Sequence, residues 1–472
     1  MDYLNIIRTG IAEFFDALNI WVQNINDVLW GWPMLTILLG THLYLTYKLK
    51  FPQKYLWKAI KLSVTKDNSN GEVSQFAALT TSLAGAIGTG NIVGVATAVL
   101  IGGPGAVLWC LLTGFLGMST KYAEGLVAIK YRVKRRNGKI AGGPMYVLER
   151  GLNKPLLAAL FCVFTLVMSL CGGNFLQGNA ISEAMQNTYS IDPYATALAL
   201  TVLVGSVIFF GLKGIANVCE RLVPVMAFVY VVSCIAIVVM NLGYVGEALV
   251  LICKSAFAPQ AIGGGAVGGF MISIQYGVSR GLLSNESGMG SAPIIAAAAK
   301  TRNPVRQALV SSTSTFWDTL VVCSMTGIVT VTTMLALGIT NVDEASSLIM
   351  QDAFSQIPVL GGHILNISMF TFAFSTILGW TYYGERSIEY LLGHRDRKAI
   401  RMFRTCWVFS TFIGAIMPLE LAWNISSTAV IFMALPNLFS LIMLTKLIVK
   451  ETRYYLWENR LDEVSDDEIP SV

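Results

Sequence analysis

Long apolar stretches separated by short charged ones dominate the chain, and the longest exceed what a helix in a water-soluble core requires. Runs such as 193–212, 222–242 and 429–449 approach the roughly 20 apolar residues that an α-helix needs to cross about 30 Å of hydrocarbon. Alternation at every second residue, the mark of a membrane β-barrel strand, is missing. The pattern predicts an all-α integral membrane protein with about 11 transmembrane helices. They fall near 31–50, 74–102, 104–130, 155–185, 193–212, 220–242, 262–299, 305–337, 361–392, 400–418 and 421–449. Residues 1–30 alternate Ile, Phe and Trp with Asp, Asn and Glu, as an amphipathic helix lying along the outer interface would. The tail 450–472 is polar and is expected to be short, mobile and cytoplasmic.

Composition agrees with the pattern. Of 472 residues, 54% are hydrophobic and 13% charged, about half the charge of an ordinary soluble chain. The net charge of +5 does not mark a nucleic-acid surface, because its positions follow the spans. With the 51–73 loop placed in the cytoplasm, 29 of the 33 Lys and Arg residues fall on the cytoplasmic side. The outer loop 338–362 carries Asp343, Glu344 and Asp352 but no Lys or Arg. That asymmetry is the positive-inside rule; it puts the N-terminus outside and the C-terminus in the cytoplasm.

Two spans are interrupted by glycine. One reads Ala84-Gly85-Ala86-Ile87-Gly88-Thr89-Gly90-Asn91-Ile92-Val93-Gly94; the other runs from Gly263 to Gly269 and on through Ser273-Ile274-Gln275-Tyr276-Gly277-Val278-Ser279-Arg280-Gly281. Glycine weakens a helix by about 1 kcal/mol relative to alanine, and unwound backbone survives at membrane depth only inside protein or against a cavity. A single Gly90-x-x-x-Gly94 is ordinary close packing. Two interruptions about 188 residues apart, each opening a set of five spans, are an inverted repeat. The expected organisation is an extra helix within 1–73, a first repeat at 74–242, an inverted second repeat at 262–449, and the tail.

An interrupted helix exposes two kinds of backbone group. Free N–H groups at a half-helix N-terminus suit a carboxylate, and free carbonyls suit a small hard cation. Gly88, Thr89 and Gly90 are therefore candidates to hold a substrate carboxylate, and the carbonyls of Ala84 and Ile87 are candidates to face a sodium ion. Hydroxyls of Ser375 and Thr376 would complete the ion's shell, although such a pair on its own more often bonds its own helix. Asn174, Gln177 and Asn179 surround a Gly172-Gly173 pair and can hold an ammonium or pack between helices. Glu124, Arg280, Glu286, Asp318, Glu385 and Arg386 are the main intramembrane charges, open to reading as an inner-gate ion-pair network or a proton relay.

Other chemistries lack their residues. The eight cysteines show no C-x-x-C pair, and His42, His363 and His394 are scattered. There is no nucleotide-binding loop, nucleophile–base pair or cofactor motif, so an enzyme is not expected and no cofactor beyond a coupling sodium ion is called for. Rival readings are proton coupling through Asp318 or Glu286, and a channel or transport-derived receptor.

Several longer motifs occur in order: Ile87-Gly88-Thr89-Gly90-Asn91, Gly102-Gly103-Pro104-Gly105, Lys121-Tyr122-Ala123-Glu124, Gly142-Gly143-Pro144-Met145-Tyr146, Arg280 to Ser291, Ser375 to Trp380, and Tyr383-Gly384-Glu385. Through them the chain resembles the alanine/glycine:cation symporter family over nearly its whole length. The resemblance implies a leucine-transporter-type fold and sodium-coupled uptake of alanine or glycine, with glutamine or serine as alternative substrates, in a prokaryotic plasma membrane. It implies no nucleic-acid or obligate protein partner. It also implies that Gly88, Thr89 and Gly90 take the carboxylate, with Asn91 at the site or a second cation. Ala84, Ile87, Ser375 and Thr376 would form the sodium shell. Gln177, Asn179, Ile274, Gln275, Tyr276 and Trp380 would line the pocket. Ser287 stands where the family usually has alanine, and Gln275 leaves the exact substrate open.

Overall fold

The computed structural model describes residues 17–67, 69–136, 138–257, 265–339, 349–393, 397–417, 420–466 and 468–471. Six of its helices are long and apolar enough to cross a bilayer, and counting each of two bent pairs as one span raises that to eight. The other stretches expected as spans are helices too, but less apolar or shorter. Ala106–Lys130 carries Lys121 and Glu124, Pro193–Ile208 has 16 residues, and Gly265–Asn285 is rich in glycine and serine.

Residues 1–16 of the expected interfacial helix lie outside the described residues. Ala17–Leu29 is helical and meets Trp32–Lys48 at 48°. It is anchored rather than loose: Asn26 Nδ2 donates to Asn424 O (2.9 Å) and Trp30 Nε1 to Ser427 O (3.3 Å), both on the last long helix, Glu420–Met443.

The first interruption lies where the glycines place it. Ser74 caps Gln75–Ala86 by accepting from Ala77 N–H (3.0 Å). Ile87 then turns extended, and the chain resumes as Gly90–Gly102, bent by 56°. The second is elsewhere than expected. Helix Gly265–Asn285 runs unbroken through Ile274, Gln275 and Tyr276. The break falls at residues 286–291, where Glu286, Gly288 and Gly290 have φ of 55°, 96° and 88°, before a short helix at Ala292–Ala296. Gly277 serves contact instead of unwinding, since a Cβ there would lie 2.5 Å from Ala106 O. Residues 263 and 264 are outside the described residues. A further helix, Leu242–Phe257, occupies the stretch expected as a connection between the repeats.

On the side of the 51–73 loop, the segments entering and leaving the broken helices are clipped together. Glu72 N–H donates to Ala298 O (2.8 Å) and Lys300 N–H to Val73 O (2.9 Å). A two-stranded ribbon, Val133–Lys134 with Ile140–Ala141, lies beside them. Burial lowers the Arg132 guanidinium to about 10 while it donates to Ala299 O (3.1 Å). The described residues of the tail pack against the body of the protein. After helix Thr445–Thr452, Ser465 N–H bonds Arg302 O (2.8 Å) and Asn303 Nδ2 bonds Leu461 O and Glu463 O (both 2.9 Å). Arg306 pairs with Asp462 (2.9 Å). Donors and an acceptor in the 302–306 segment thus hold a stretch of polar tail that composition alone reads as loose.

Candidate functional site

At the first break, most of the backbone groups that helical pairing releases are met by side chains. In an unbroken helix Ala84, Gly85 and Ile87 carbonyls would accept from residues 88, 89 and 91. Instead Gly88 N–H goes to Asn91 Oδ1 (3.0 Å), Thr89 N–H to Gln177 Oε1 (3.2 Å) and Asn91 N–H to Gly88 O (3.1 Å). The carbonyls turn to one helix, Gly361–Leu391. Ser375 Oγ lies 3.5 Å from Ala84 O, Trp380 Nε1 3.2 Å from Gly85 O, and Thr376 Oγ1 3.2 Å from Ile87 O. Glycine brings that helix close, for a Cβ on Gly379 would lie 2.7 Å from Gly85 N.

Two carbonyls facing two hydroxyls, with all four residues buried, make a small oxygen-only donor set. Hard monovalent and alkaline-earth cations prefer such donors. No carboxylate joins it, which suits a singly charged ion in a low-dielectric setting. Ser375 and Thr376 also donate to Phe372 O (2.9 and 3.0 Å), so these hydroxyls have a fallback partner on their own helix.

On the other face of the break, Gln177 Oε1 accepts from both the N–H and the hydroxyl of Thr89 (3.2 and 3.1 Å). Its amide nitrogen is fixed by Gly172 O (3.1 Å), which a π-helical turn at Cys171–Phe175 leaves accessible. A neutral carbonyl oxygen thus satisfies both donors of Thr89. Gly88 is confined: a Cβ there would lie 2.7 Å from Thr376 Oγ1 and 3.2 Å from Gln177 Oε1, whereas Gly90 has no atom within 4 Å.

The expected residues divide into those that converge and those that do not. Ala84, Ile87, Ser375 and Thr376 converge, as do Gly88, Thr89, Gly90, Asn91 and Gln177 around the break. Trp380 is 2% exposed, clamped onto Gly85 O and against Gly173, a wall of the break. Asn179 is turned away, its amide donating to Met417 O (2.9 Å). Ile274, Gln275 and Tyr276 sit about ten residues before Ser284, roughly 15 Å along the helix, with Tyr276 packed on Gly102 at the far end of the second half-helix. Their assignment to the break followed from misplacing the second interruption. Ser284 is the residue of that helix that reaches the first break.

Sequence reasoning did not connect Asp318, Ser284 and Thr319 to this site. Asp318 is fully buried on a π-helical stretch, Phe316–Cys323. Its carboxylate accepts from Asn91 Nδ2 (2.6 Å), Ser284 Oγ (2.7 Å) and Thr319 Oγ1 (2.7 Å). Asn91 in turn holds Gly88 N–H, so Asp318 orients the break through one intervening amide. The signal available was a carboxylate inside an apolar span, but the pairing spans 227 residues. Of the remaining intramembrane charges, Glu385 and Arg386 form the ion-pair network that the sequence allowed. Arg404 is bidentate on Glu385 (2.8 and 2.9 Å), Arg135 is bidentate on Glu389 (2.9 and 2.8 Å), and Arg386 pairs with both glutamates. Arg280 instead lies over the Trp423 ring at 5.0 Å. Glu124 holds the second break, accepting from Gly288 N–H (3.0 Å), Gly290 N–H (3.1 Å) and Asn437 Nδ2 (2.6 Å).

Comparison with known proteins shows the family. Residues 15–468 match the model of the sodium:alanine symporter family. An uncharacterized transporter of Haemophilus influenzae is 48% identical over 94% of this chain and 98% of its own. The sodium/alanine symporter AgcS of Methanococcus maripaludis is 44% identical, covering 92% of this chain and 96% of its own. Among solved structures, MhsT in complex with L-phenylalanine superposes with a TM-score of 0.50 at 16% identity, over 85% of this chain and 94% of that one, a likeness of fold alone. These relatives are multi-pass membrane transporters and not enzymes. The chain belongs to the sodium:alanine symporter family.

Proposed function

We propose that this chain carries a small neutral amino acid, alanine or glycine, into a prokaryotic cell with sodium, by alternating access of two inverted five-helix repeats. The N-terminus lies outside the plasma membrane and the C-terminus in the cytoplasm. Sodium binds between Ala84 O, Ile87 O, Ser375 Oγ and Thr376 Oγ1. The substrate carboxylate displaces Gln177 Oε1 from Thr89. The observation that carries this reading is the transfer of released backbone groups at one break to exchangeable neutral side chains: hydroxyls on the carbonyl face and a glutamine carbonyl on the N–H face. The name of the Methanococcus relative supports sodium and alanine. Sodium and substrate share the 84–91 segment, so each stabilises the conformation the other needs, and each tightens the other's binding by the same factor.

Uptake of radiolabelled alanine into proteoliposomes tests the reading. An inward sodium gradient drives accumulation above equilibrium; potassium does not. Serine, glycine and glutamine compete in proportion to their fit. Alanine uptake indifferent to sodium would defeat the coupling. The buried Asp318 favours one second reading, proton coupling, and that reading requires a pH gradient alone to drive uptake and Asp318→Asn to abolish the pH response.

A further inference from the structure

Below the first break, on the membrane face of the fold, lies an apolar cavity of about 360 Å³ that touches the ion site only through the side chain of Ile87. Its walls come from the half-helix before the break (Phe76, Leu83), from Gly211–Met240 (Pro224, Ala227) and from Pro304–Ala336 (Trp317, Val321). Pro224 and Ala227 are one turn apart on one face, and their small side chains leave the trough. Two hydroxyls lie in the lining, and both are satisfied internally, Ser63 Oγ by Ile60 O (2.7 Å) and Thr80 Oγ1 by Phe76 O (3.0 Å). Apart from the Trp317 indole the lining side chains are apolar or internally bonded, so an apolar chain suits it.

The floor is the short helix Leu56–Ser63, whose Ile60 and Ser63, with the following Val64, line the cavity. Trp57 is 80% exposed on it, as an interfacial anchor is. Residues 48–66 hold six lysines and no acidic residue; Lys58, Lys61 and Lys66, nearest the cavity floor, are exposed. An apolar trough at membrane depth that ends at an exposed cationic helix matches the two halves of one molecule: an acyl chain and an anionic headgroup.

We propose that this cavity is a binding site for an anionic phospholipid of the adjoining leaflet, its acyl chain in the trough and its phosphate at Lys58, Lys61 and Lys66. The chain packs against Leu83 and Ile87 and so forms the outer wall of the half-helix that carries the proposed sodium carbonyls. The headgroup lysines confer the charge preference; the trough confers the position.

Native mass spectrometry of the purified, delipidated full chain re-exposed to phosphatidylglycerol or phosphatidylcholine tests this, and its readout does not depend on which solute is carried. The parent chain retains phosphatidylglycerol in preference to phosphatidylcholine. Ala227→Trp, which fills the trough, loses that retention, and an equally bulky change on another lipid-facing helix, Val202→Trp, keeps it. Joint replacement of Lys58, Lys61 and Lys66 by Gln lowers the preference by at least about tenfold. Ala227→Trp retaining phosphatidylglycerol as the parent does overturns the site. Equal retention of the two lipids by the parent, or a preference untouched by the lysine changes, overturns the anionic headgroup and with it the proposal.

Discussion

The chain interrupts two helices, and the two breaks are stabilised by opposite means. At the first, groups released from helical pairing are met by neutral side chains: Gln177 and Asn91 on the N–H side, Ser375, Thr376 and Trp380 on the carbonyl side. At the second, one carboxyl oxygen from another helix, Glu124 Oε1, accepts from Gly288 N–H and Gly290 N–H, and Asn437 bridges Glu124 to Gly288 O (2.9 Å). Three donors thus converge on one buried carboxyl oxygen that the protein itself supplies. The second break is therefore locked by the protein itself. The first is held by bonds weak enough for a carboxylate and a cation to replace.

Removing the lock gives the largest expected effect. Glu124→Ala leaves two buried N–H groups and the Asn437 amide without their acceptor, at about 1–3 kcal/mol for each stranded group, so unfolding in detergent is expected to become easier by about 4 kcal/mol in all. Glu124→Gln restores one acceptor and loses only about 1 kcal/mol. Both variants are still stabilised by sodium and alanine, because ligand that binds the folded state protects it by mass action. A Glu124→Gln protein that folds but has lost all sodium protection would mean that the second break is part of the ion site, and the contrast would collapse.

The next effect is at Gly88. A methyl group there meets Thr376 Oγ1 and Gln177 Oε1 together, and overpacking of this kind costs about 2 kcal/mol, roughly thirtyfold in sodium-driven uptake. Gly90→Ala meets no atom and loses less. If the two glycines prove equally sensitive, it is the space left for substrate, not confinement by neighbours, that limits this face. Smaller again are Ser375→Ala and Thr376→Ala. Each removes one of four oxygens and raises the sodium concentration for half-maximal uptake by about tenfold, near 1.4 kcal/mol, with less change in unfolding without sodium, since both hydroxyls already bond Phe372 O.

How far the sequence announced this arrangement differs between the two breaks. Gly85, Gly88, Gly90 and Gly94 mark the first because glycine lowers helix propensity locally. The second was placed about ten residues early, at Gly277 and Gly281. Those glycines admit Ala106 and Thr113 of the neighbouring helix into close contact, and composition cannot separate a glycine that packs from one that unwinds. A better signal was present: Gly288-x-Gly290 repeats Gly88-x-Gly90, and both later glycines take left-handed φ. The meeting of Ser375 and Thr376 with the carbonyls of Ala84 and Ile87 was among the expected contacts, although such a pair on its own more often bonds its own helix, as both hydroxyls also do with Phe372 O. The bonds of Asp318 to Asn91 and of Glu124 to Gly288 were not, because they join residues more than 160 positions apart and rest on how whole helices pack. Asn179 was misjudged for the same reason: its helix face, turned towards Met417, is set by tertiary packing.

The smallest expected effect is the most discriminating. Ser287 lies inside the second break, fully buried, with its hydroxyl 2.9 Å from Thr315 Oγ1 and its side chain tight against Gly117. Ser287→Ala removes one neutral hydrogen bond and no volume that its neighbours need. It should lower stability by at most about 1 kcal/mol and leave the half-saturation of both sodium and alanine unchanged. A locked break tolerates that loss, because Glu124 still fixes Gly288 and Gly290 on either side of Met289. A break that opened and closed around ligand would not, because Thr315 stands on the helix that continues to Asp318, and a freed Thr315 would disturb the anchor of Asn91. An unchanged sodium response with slightly easier unfolding therefore keeps the two breaks distinct, and a shifted sodium response in Ser287→Ala would join them into one site.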